Sequence, residues 1–210
     1  MKKLFVCVCA LSLLAACYKS PAQKAEALIH SEKSKTIAKT TTLEVKEIKV
    51  DSAFSPTDDP TFFKQMEEAS KLNDEYYAKQ KVVMELRDSM NVLLRQNSQE
   101  QLYKELKRQE VKLLVEIDQL KERGNEIYDQ LIAIASSEPK FIGYKAMYTF
   151  QIHNEAGSTL PATEFYLFDT DVHHIVYSCS NSYYEEAQEG IQNLLIAKAI
   201  KEDREESRNK

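Results

Sequence analysis

The chain of 210 residues has no Trp, 4 Gly and 5 Pro. So little Gly and Pro excludes collagen-like repeats and Gly-rich linkers, and argues against a turn-dense β-sandwich. Beyond the first seventeen residues no stretch approaches the roughly 20 apolar residues a bilayer-spanning helix needs. There is no compact cluster of Lys and Arg with aromatics between them, and the net charge is −5. An acidic chain of this kind is a poor nucleic-acid binder, because that affinity rests on neutralising phosphates. Phosphate-binding Gly loops, the nucleophile elbow, the H-E-x-x-H zinc motif and the dinucleotide fingerprint are all missing. The chain is nonetheless 43% hydrophobic and 29% charged, a composition that folds.

The N-terminus reads MKKLFVCVCALSLLAAC. Lys2 and Lys3 precede an apolar run from Leu4 to Leu14, which is too short for a permanent span but has the layout of an export signal. It ends in Leu14-Ala15-Ala16-Cys17, small residues directly before a Cys, and so resembles the lipobox of bacterial lipoproteins. The resemblance implies removal of residues 1–16, lipidation of Cys17 with palmitate-type acyl chains, and anchoring to a membrane without spanning it. Two or three acyl chains hold a protein where one does not. Tyr18 and Lys19 follow, so neither an Asp retention signal nor an acidic surface-export signal is present. Within that family this implies an outer-membrane anchor facing the periplasm. Cys7 and Cys9 would leave with the signal, so Cys179 would be the one remaining thiol. That excludes an intramolecular disulfide and a Cys-rich metal site. Loss of Lys2 and Lys3 would bring the net charge to −7.

Residues 17–60 hold Pro21, Pro56, Pro60 and a Thr40-Thr41-Thr42 run, which reads as a flexible tether with an edge strand over 42–50. Residues 61–136 carry the clearest periodicity. Phe62, Met66, Ala69, Tyr76, Val83, Leu86, Met90 and Leu93 form one helical stripe. Leu106, Leu113, Ile117, Leu120, Ile127, Leu131 and Ile134 form another. Between Thr61 and Arg123 there is no Gly or Pro. Asn97 and the Ser98…Gln101 capping box mark the one local stop. Two antiparallel helices joined near Asn97 are therefore expected, in preference to one long helix pairing with another chain as a homo-oligomer.

Pro139 closes the helical part and the period changes to two. Residues 139–210 read as a three-stranded antiparallel meander and a C-terminal helix: strands from Ile142 to Ile152, Ala162 to Asp169 and His173 to Ser178, a loop over His153–Leu160, and a helix from Ser182. The expected fold class is α+β, a long antiparallel helical hairpin followed by that meander and helix. In the expected register Phe150 faces Phe165, Tyr148 faces Leu167 and Phe165 faces Val176 on one side. The other side gathers Met147, Tyr166, Phe168, Ile175 and Tyr177. Both sides are apolar, and a sheet of three strands leaves neither wet. The final helix covers one. Tyr166, Phe168, Ile175 and Tyr177 on the other are the candidate partner-binding residues.

Asp169, Asp171, His173, His174 and His153 form the densest polar group and the one candidate metal set. Adjacent His on a strand point to opposite faces, and His153 falls about 20 Å away in that register. Turn-forming Asp residues beside surface His account for it better. No catalytic residue, metal or cofactor is assigned. The expectation is a membrane-anchored envelope lipoprotein that works as a non-enzymatic protein-interaction module, an immunity or exclusion factor being one form of it. The alternative is a holdase-like periplasmic chaperone with helical arms on a β body.

Overall fold

A computed structural model describes residues 19–36, 42–96, 100–153 and 158–208. The export signal, the lipobox and the Asn97-Ser98 stop lie outside the described residues, as do residues 154–157 of the expected loop. The elements in order are α1 (Pro21–Thr36), β1 (Thr42–Ser55), α2 (Pro60–Gln96), α3 (Glu100–Ala135), β2 (Lys140–His153), β3 (Thr159–Phe168), β4 (Ile175–Ser180) and α4 (Asn181–Arg208). The class is α+β, as the sequence predicts. The chain divides into two compact units. One comprises Met1–Pro60 with Glu138–Gln192, the other Thr61–Ser137 with Asn193–Lys210.

The first unit is an antiparallel sheet of order β1-β2-β3-β4. The strand expected over 42–50 is present and extends to Ser55, pairing with the whole of β2. Two bulges shape it. Lys46 is the extra residue on β1 between Val45 and Glu47, and Ile142 the extra residue on β2 between Phe141 and Gly143. Gly143 has φ 147°, and a Cβ there would stand 2.1 Å from the carbonyl oxygen of Phe168, so this close approach admits only glycine.

The observed register corrects the expected one. Met147 faces Phe165, Ala146 faces Tyr166 and Tyr144 faces Phe168. Relative to the expectation, β3 slips by three residues against β2, an odd number, which exchanges its two faces. Tyr148, Phe150, Tyr166 and Phe168 therefore share one side and are buried there together with Ala146. Pro161 lies inside β3, opposite Gln151. Its missing N–H is tolerated because β4 pairs with β3 only from Glu164 onward, leaving Pro161 on a stretch with a bare edge. The β3–β4 pairing shifts likewise: Phe165 faces Cys179, and Leu167 faces Tyr177.

The expected tether is the largest correction. Residues 21–36 form a helix that supplies Ala25 and Ile29, both fully buried, to the Tyr148–Phe168 face. Its start is well specified. Ser20 Oγ accepts the N–H of Gln23, and the Ser20 N–H donates to Gln23 Oε1, a reciprocal cap with Pro21 in the first helical position. The opposite face carries Phe165 and Leu167, both buried. There Tyr184 of α4 stacks on Phe165, with ring centroids 4.1 Å apart and planes 13° from parallel. Ala187 and Ile191, further along α4, are buried. Helices from both ends of the sequence thus seal the two faces.

A buried polar cluster fastens the turn after β1 within this unit. Asp58, 1% exposed, accepts the N–H of Phe54 at 2.9 Å, the Lys145 ammonium on both oxygens at 3.0 Å, and the Tyr184 hydroxyl at 3.0 Å. Burial, and then the Asp58 charge, push the Tyr184 hydroxyl well above the usual phenol range. The side chain of Gln188 adds a hydrogen bond to the Thr57 carbonyl.

In the second unit α2 and α3 run antiparallel. Glu68 pairs with Arg123, Lys79 with Glu116 and Arg87 with Glu110, so residues near one end of α2 meet residues near the far end of α3. Each helix is roughly 55 Å long at 1.5 Å per residue. The second half of α4 belongs to this unit, and Lys198 Nζ donates to Ser136 Oγ at 3.1 Å.

Candidate interaction surface

The two long helices follow a seven-residue repeat. On α2 the inward positions a and d are Ala69, Leu72, Tyr76, Lys79, Val83, Leu86, Met90 and Leu93. On α3 they are Leu106, Glu110, Leu113, Ile117, Leu120, Gly124, Ile127, Leu131 and Ile134. All are buried or half-buried, while most of the residues between them are exposed. In an antiparallel pair, positions g of the two helices flank one side of this seam and positions e flank the other.

Both flanks carry ion pairs. On the g flank Arg123 Nη2 lies 2.8 Å from Glu68, and Lys79 Nζ lies 2.7 Å from Glu116 and 3.4 Å from Glu75. The e flank places Arg87, Lys107 and Lys121 at e, each within reach of a carboxylate, among neutral and apolar residues. It carries Asn73, Gln80, Leu114 and Tyr128 at e, with Tyr77, Met84 and Val111 at the adjoining b positions. Tyr77, Met84 and Val111 are 62%, 65% and 51% exposed. Large apolar side chains also stay in water on the g flank, where Val82 and Leu102 are exposed.

Toward one end of the e flank, Glu110 occupies a core position and is 2% exposed. Arg87 Nε and Lys107 Nζ each reach it at 2.6 Å. These bonds, Lys107 first and Arg87 second, hold its carboxyl below the usual carboxylate range. With Lys79, Glu110 is one of two charged residues at core positions, and such residues fix how two helices slide against each other.

Toward the other end the seam opens. Gly124 occupies a core position, and a Cβ built on it would have nothing within 4 Å. The result is a notch of about 320 Å³ lined by Ala69, Leu72, Tyr76, Leu120, Tyr128 and Leu131, with Asn73 and Lys121 at its rim. A glycine in a helix interior costs roughly 1 kcal/mol relative to Ala, and here no steric demand offsets that cost. Lys121 Nζ sits 3.3 Å from Asp118 and 6.0 Å from the centre of the Tyr76 ring.

The expected partner-binding residues lie elsewhere and mostly inside. Tyr166 and Phe168 are buried in the core under α1, Ile175 packs against that core, and Tyr177 lies half-buried on the opposite face. The odd register slip places the first three under α1, a helix within the segment expected to be a tether. The tyrosine concentration is therefore core material. Burial and the bond to Glu164 raise the Tyr166 hydroxyl far above its ordinary value.

The His and Asp group resolves into turn chemistry. Asp169 Oδ1 accepts the backbone N–H groups of His173 and His174 at 2.6 and 3.2 Å, closing a turn in which Val172 takes φ 54°. His153 sits at the far end of the sheet, bonded to Thr159 and Glu44. Among the described residues no three His, Cys, Asp or Glu side chains are placed to hold a metal ion.

Cys179 is half-buried beside a shallow cavity of about 340 Å³. Lys33, Glu164 and Tyr166 share the lining, with Lys33 2.6 Å from Glu164 and its ammonium 4.7 Å above the Phe150 ring. These polar groups satisfy one another, and the Lys33–Glu164 pair ties the end of α1 to β3.

The fold and surface together define an α+β protein whose long antiparallel hairpin keeps large apolar side chains in water. No protein-family model, curated protein or solved structure matches the chain. Among the described residues no helix is long and apolar enough to cross a membrane.

Proposed function

We propose that this is a lipid-anchored protein of the bacterial envelope that acts through protein–protein contact. Cys17 would carry the acyl chains and hold the folded units at the outer membrane, facing the periplasm. The observation that carries the interaction reading is the set of large apolar side chains left in water on the α2–α3 hairpin. Tyr77, Met84 and Val111 are more than half exposed, and a notch of about 320 Å³ stands open at Gly124. Large exposed apolar patches on otherwise polar proteins mark contact sites. The motif survey of the sequence and the self-satisfied polar clusters favour a binding role over catalysis.

Metabolic labelling of cells with a palmitate analogue tests the anchor. The wild-type chain takes up label and fractionates with the envelope, and Cys17→Ser abolishes both. An unlabelled wild-type chain recovered from the cytosol would overturn the anchoring. Crosslinking in intact cells tests the contact role. A defined species containing this chain supports it, and a chain that stays uncrosslinked at every position of the e flank rejects it. The holdase alternative draws on the same exposed side chains. It requires that the purified protein suppress aggregation of an unfolded client in proportion to its concentration.

A further inference from the structure

We infer that the end of the sheet carrying Phe54, Phe141 and Tyr144 is a membrane-docking surface, and that its occupant is the bilayer in which the acyl chains of Cys17 would sit. The inference rests on the reading of Cys17 as a lipidated terminus, and names the part of the fold that then meets the lipid. Three observations within the first unit carry it.

The first is where the anchor leaves the fold. A tether of forty residues would let the domain float at any height and orientation, but α1 removes that freedom. Only Tyr18, Lys19 and Ser20 separate Cys17 from Pro21. At no more than about 3.6 Å per residue, Cys17 lies within about 14 Å of the start of α1. The helix crosses the sheet in a defined direction. Near its start, Lys24 Nζ donates to the carbonyl of Asp171, in the turn after β3, at 3.0 Å. Near its end, Lys33 pairs with Glu164 at 2.6 Å and stands 4.7 Å above the Phe150 ring. Phe150 faces Ala162 and Tyr144 faces Phe168, so α1 begins at the Tyr144–Phe168 end of the sheet.

The second is what stands at that end. Beyond the Ser52–Tyr144 pair, β1 and β2 continue to the pair Phe54–Phe141. The rings form a run, Phe54 to Phe141 at 5.9 Å and Phe141 to Tyr144 at 5.6 Å between centroids. Tyr144 packs against the core cluster that holds Ala25 of α1 and Val172, so the run starts beside the anchor's exit and ends in water. Phe54 and Phe141 are 43% and 40% exposed. The turn after β1 packs on the opposite face, through Asp58, Lys145 and Tyr184, and leaves the rings uncovered.

The third is the match of chemistry to depth. Aromatic side chains favour the headgroup level of a bilayer, a layer roughly 5–8 Å deep on each side of the hydrocarbon core. An exit held within about 14 Å of an acylated residue keeps these rings at that level, and leaves little room for a protein beneath them. The exposed charges nearby are mixed, Lys19 and Lys140 against Asp171. The rings therefore carry the contact, and zwitterionic lipid suffices.

The test uses the full lipidated chain with Cys179→Ser, so that one added thiol is unique, in phosphatidylcholine vesicles doped with a lipid bearing a nitroxide near the headgroup. A fluorophore at Lys140→Cys, next to Phe141, is expected to be quenched. One at Leu160→Cys is expected to stay bright. Leu160 faces Ile152, twelve residues along β2 from Lys140 and so about 40 Å away. Phe54→Ala with Phe141→Ala is expected to lose the quenching at position 140 while the chain still floats with the vesicles and keeps its far-ultraviolet circular dichroism. The comparison of the two positions needs no ring substitution, so it stands even if the double variant misfolds. Equal quenching at both positions would overturn the docking, as would a folded double variant quenched as strongly as the wild type. So would a floating chain that is unquenched at 140 and crosslinks there to a protein in intact cells, which would assign the rings to a protein partner. A chain that takes up no palmitate analogue overturns anchor and docking together, whereas a labelled, floating chain with no difference between the positions overturns the docking alone.

Discussion

Two glycines in this chain respond oppositely to the same substitution, and the contrast probes both units. Gly124→Ala adds a methyl group where nothing lies within 4 Å. The gain is the difference in helix propensity, about 1 kcal/mol, with no steric term against it. Gly143→Ala places a Cβ 2.1 Å from a backbone carbonyl oxygen, at φ 147°. Relief requires moving β3 away from β2 beside the buried Phe168. Backbone strain of this kind costs about 1–3 kcal/mol before any packing is lost, so a total of at least about 3 kcal/mol is expected. Urea unfolding followed by far-ultraviolet circular dichroism reads both, and with a slope of about 1–3 kcal/mol per molar, 1 kcal/mol moves a midpoint by roughly 0.3–1 M. Gly124→Ala is expected to raise the midpoint of the helical transition and Gly143→Ala to lower that of the sheet. A destabilising Gly124→Ala would mean that the notch is occupied by the chain's own atoms. A neutral Gly143→Ala would refute the β1–β2–β3 register.

The remaining predictions concern the polar anchors and α1. Asp58→Ala leaves the Lys145 ammonium without its carboxylate and removes the acceptor of Tyr184, so a loss of about 3–5 kcal/mol is expected. Tyr184→Phe keeps the stack on Phe165 and forfeits the bond donated to Asp58 and the one accepted from Lys145, about 1.5–3 kcal/mol by the same urea measurement. The Glu110 carboxyl is held below its unfolded value near 4.3, so its stabilisation is complete above that pH and disappears as pH falls through the lower folded value. Wild-type hairpin stability should therefore drop on acidification below about pH 4.3, and Glu110→Gln should lose stability at pH 7 and show a flatter acid limb. Ile29→Ala, in a segment that reads as a tether, is expected to cost about 2–5 kcal/mol in thermal or urea unfolding, as befits a core side chain. No change there would return α1 to the status of a linker.

The hairpin was legible because its signal is long and local. More than seventy residues with one stripe each side of a single stop leave little freedom, and the antiparallel pairs Glu68–Arg123 and Arg87–Glu110 fall where a reversal near Asn97 places them. The strand over 42–50 was legible from its β-branched residues, although its extension through Asp51 and Ser52 was not. There pairing with β2 overrides weak strand propensity. The α1 helix could have been found. Ser20 and Gln23 are spaced as a capping box, Pro21 stands at the first helical position, and Ala25, Leu28 and Ile29 repeat at helical spacing. The Ser, Lys and Thr around them obscured a signal that was present. The Asp58 cluster could not have been found, because Phe54, Asp58, Lys145 and Tyr184 converge only through tertiary contact.

The misplaced binding site has a single physical origin. A strand alternates with period two, so the sequence shows which residues share a face within a strand but not which faces of neighbouring strands coincide. That depends on the register, and the register depends here on a loop and on whether Pro161 can sit in the strand. Starting the strand at Ala162, after a loop over His153–Leu160, lengthens the loop and shifts the pairing by three. The odd slip then places Tyr166 and Phe168 on the wrong side of Tyr148. With α1 counted as linker, the face they occupy has no cover and looks like a docking surface. Restoring both features covers the sheet with α1 on one face and the first half of α4 on the other. Phe54, Phe141, Leu160 and Val176 stay exposed on the strands, but most of the large apolar side chains left in water lie in the helical unit. Its stripes identify the seam, but its g and e flanks separate only once the two helices are known to be antiparallel. Only then do Glu68 and Arg123 become partners across one flank, while Arg87 at e reaches Glu110 on the other.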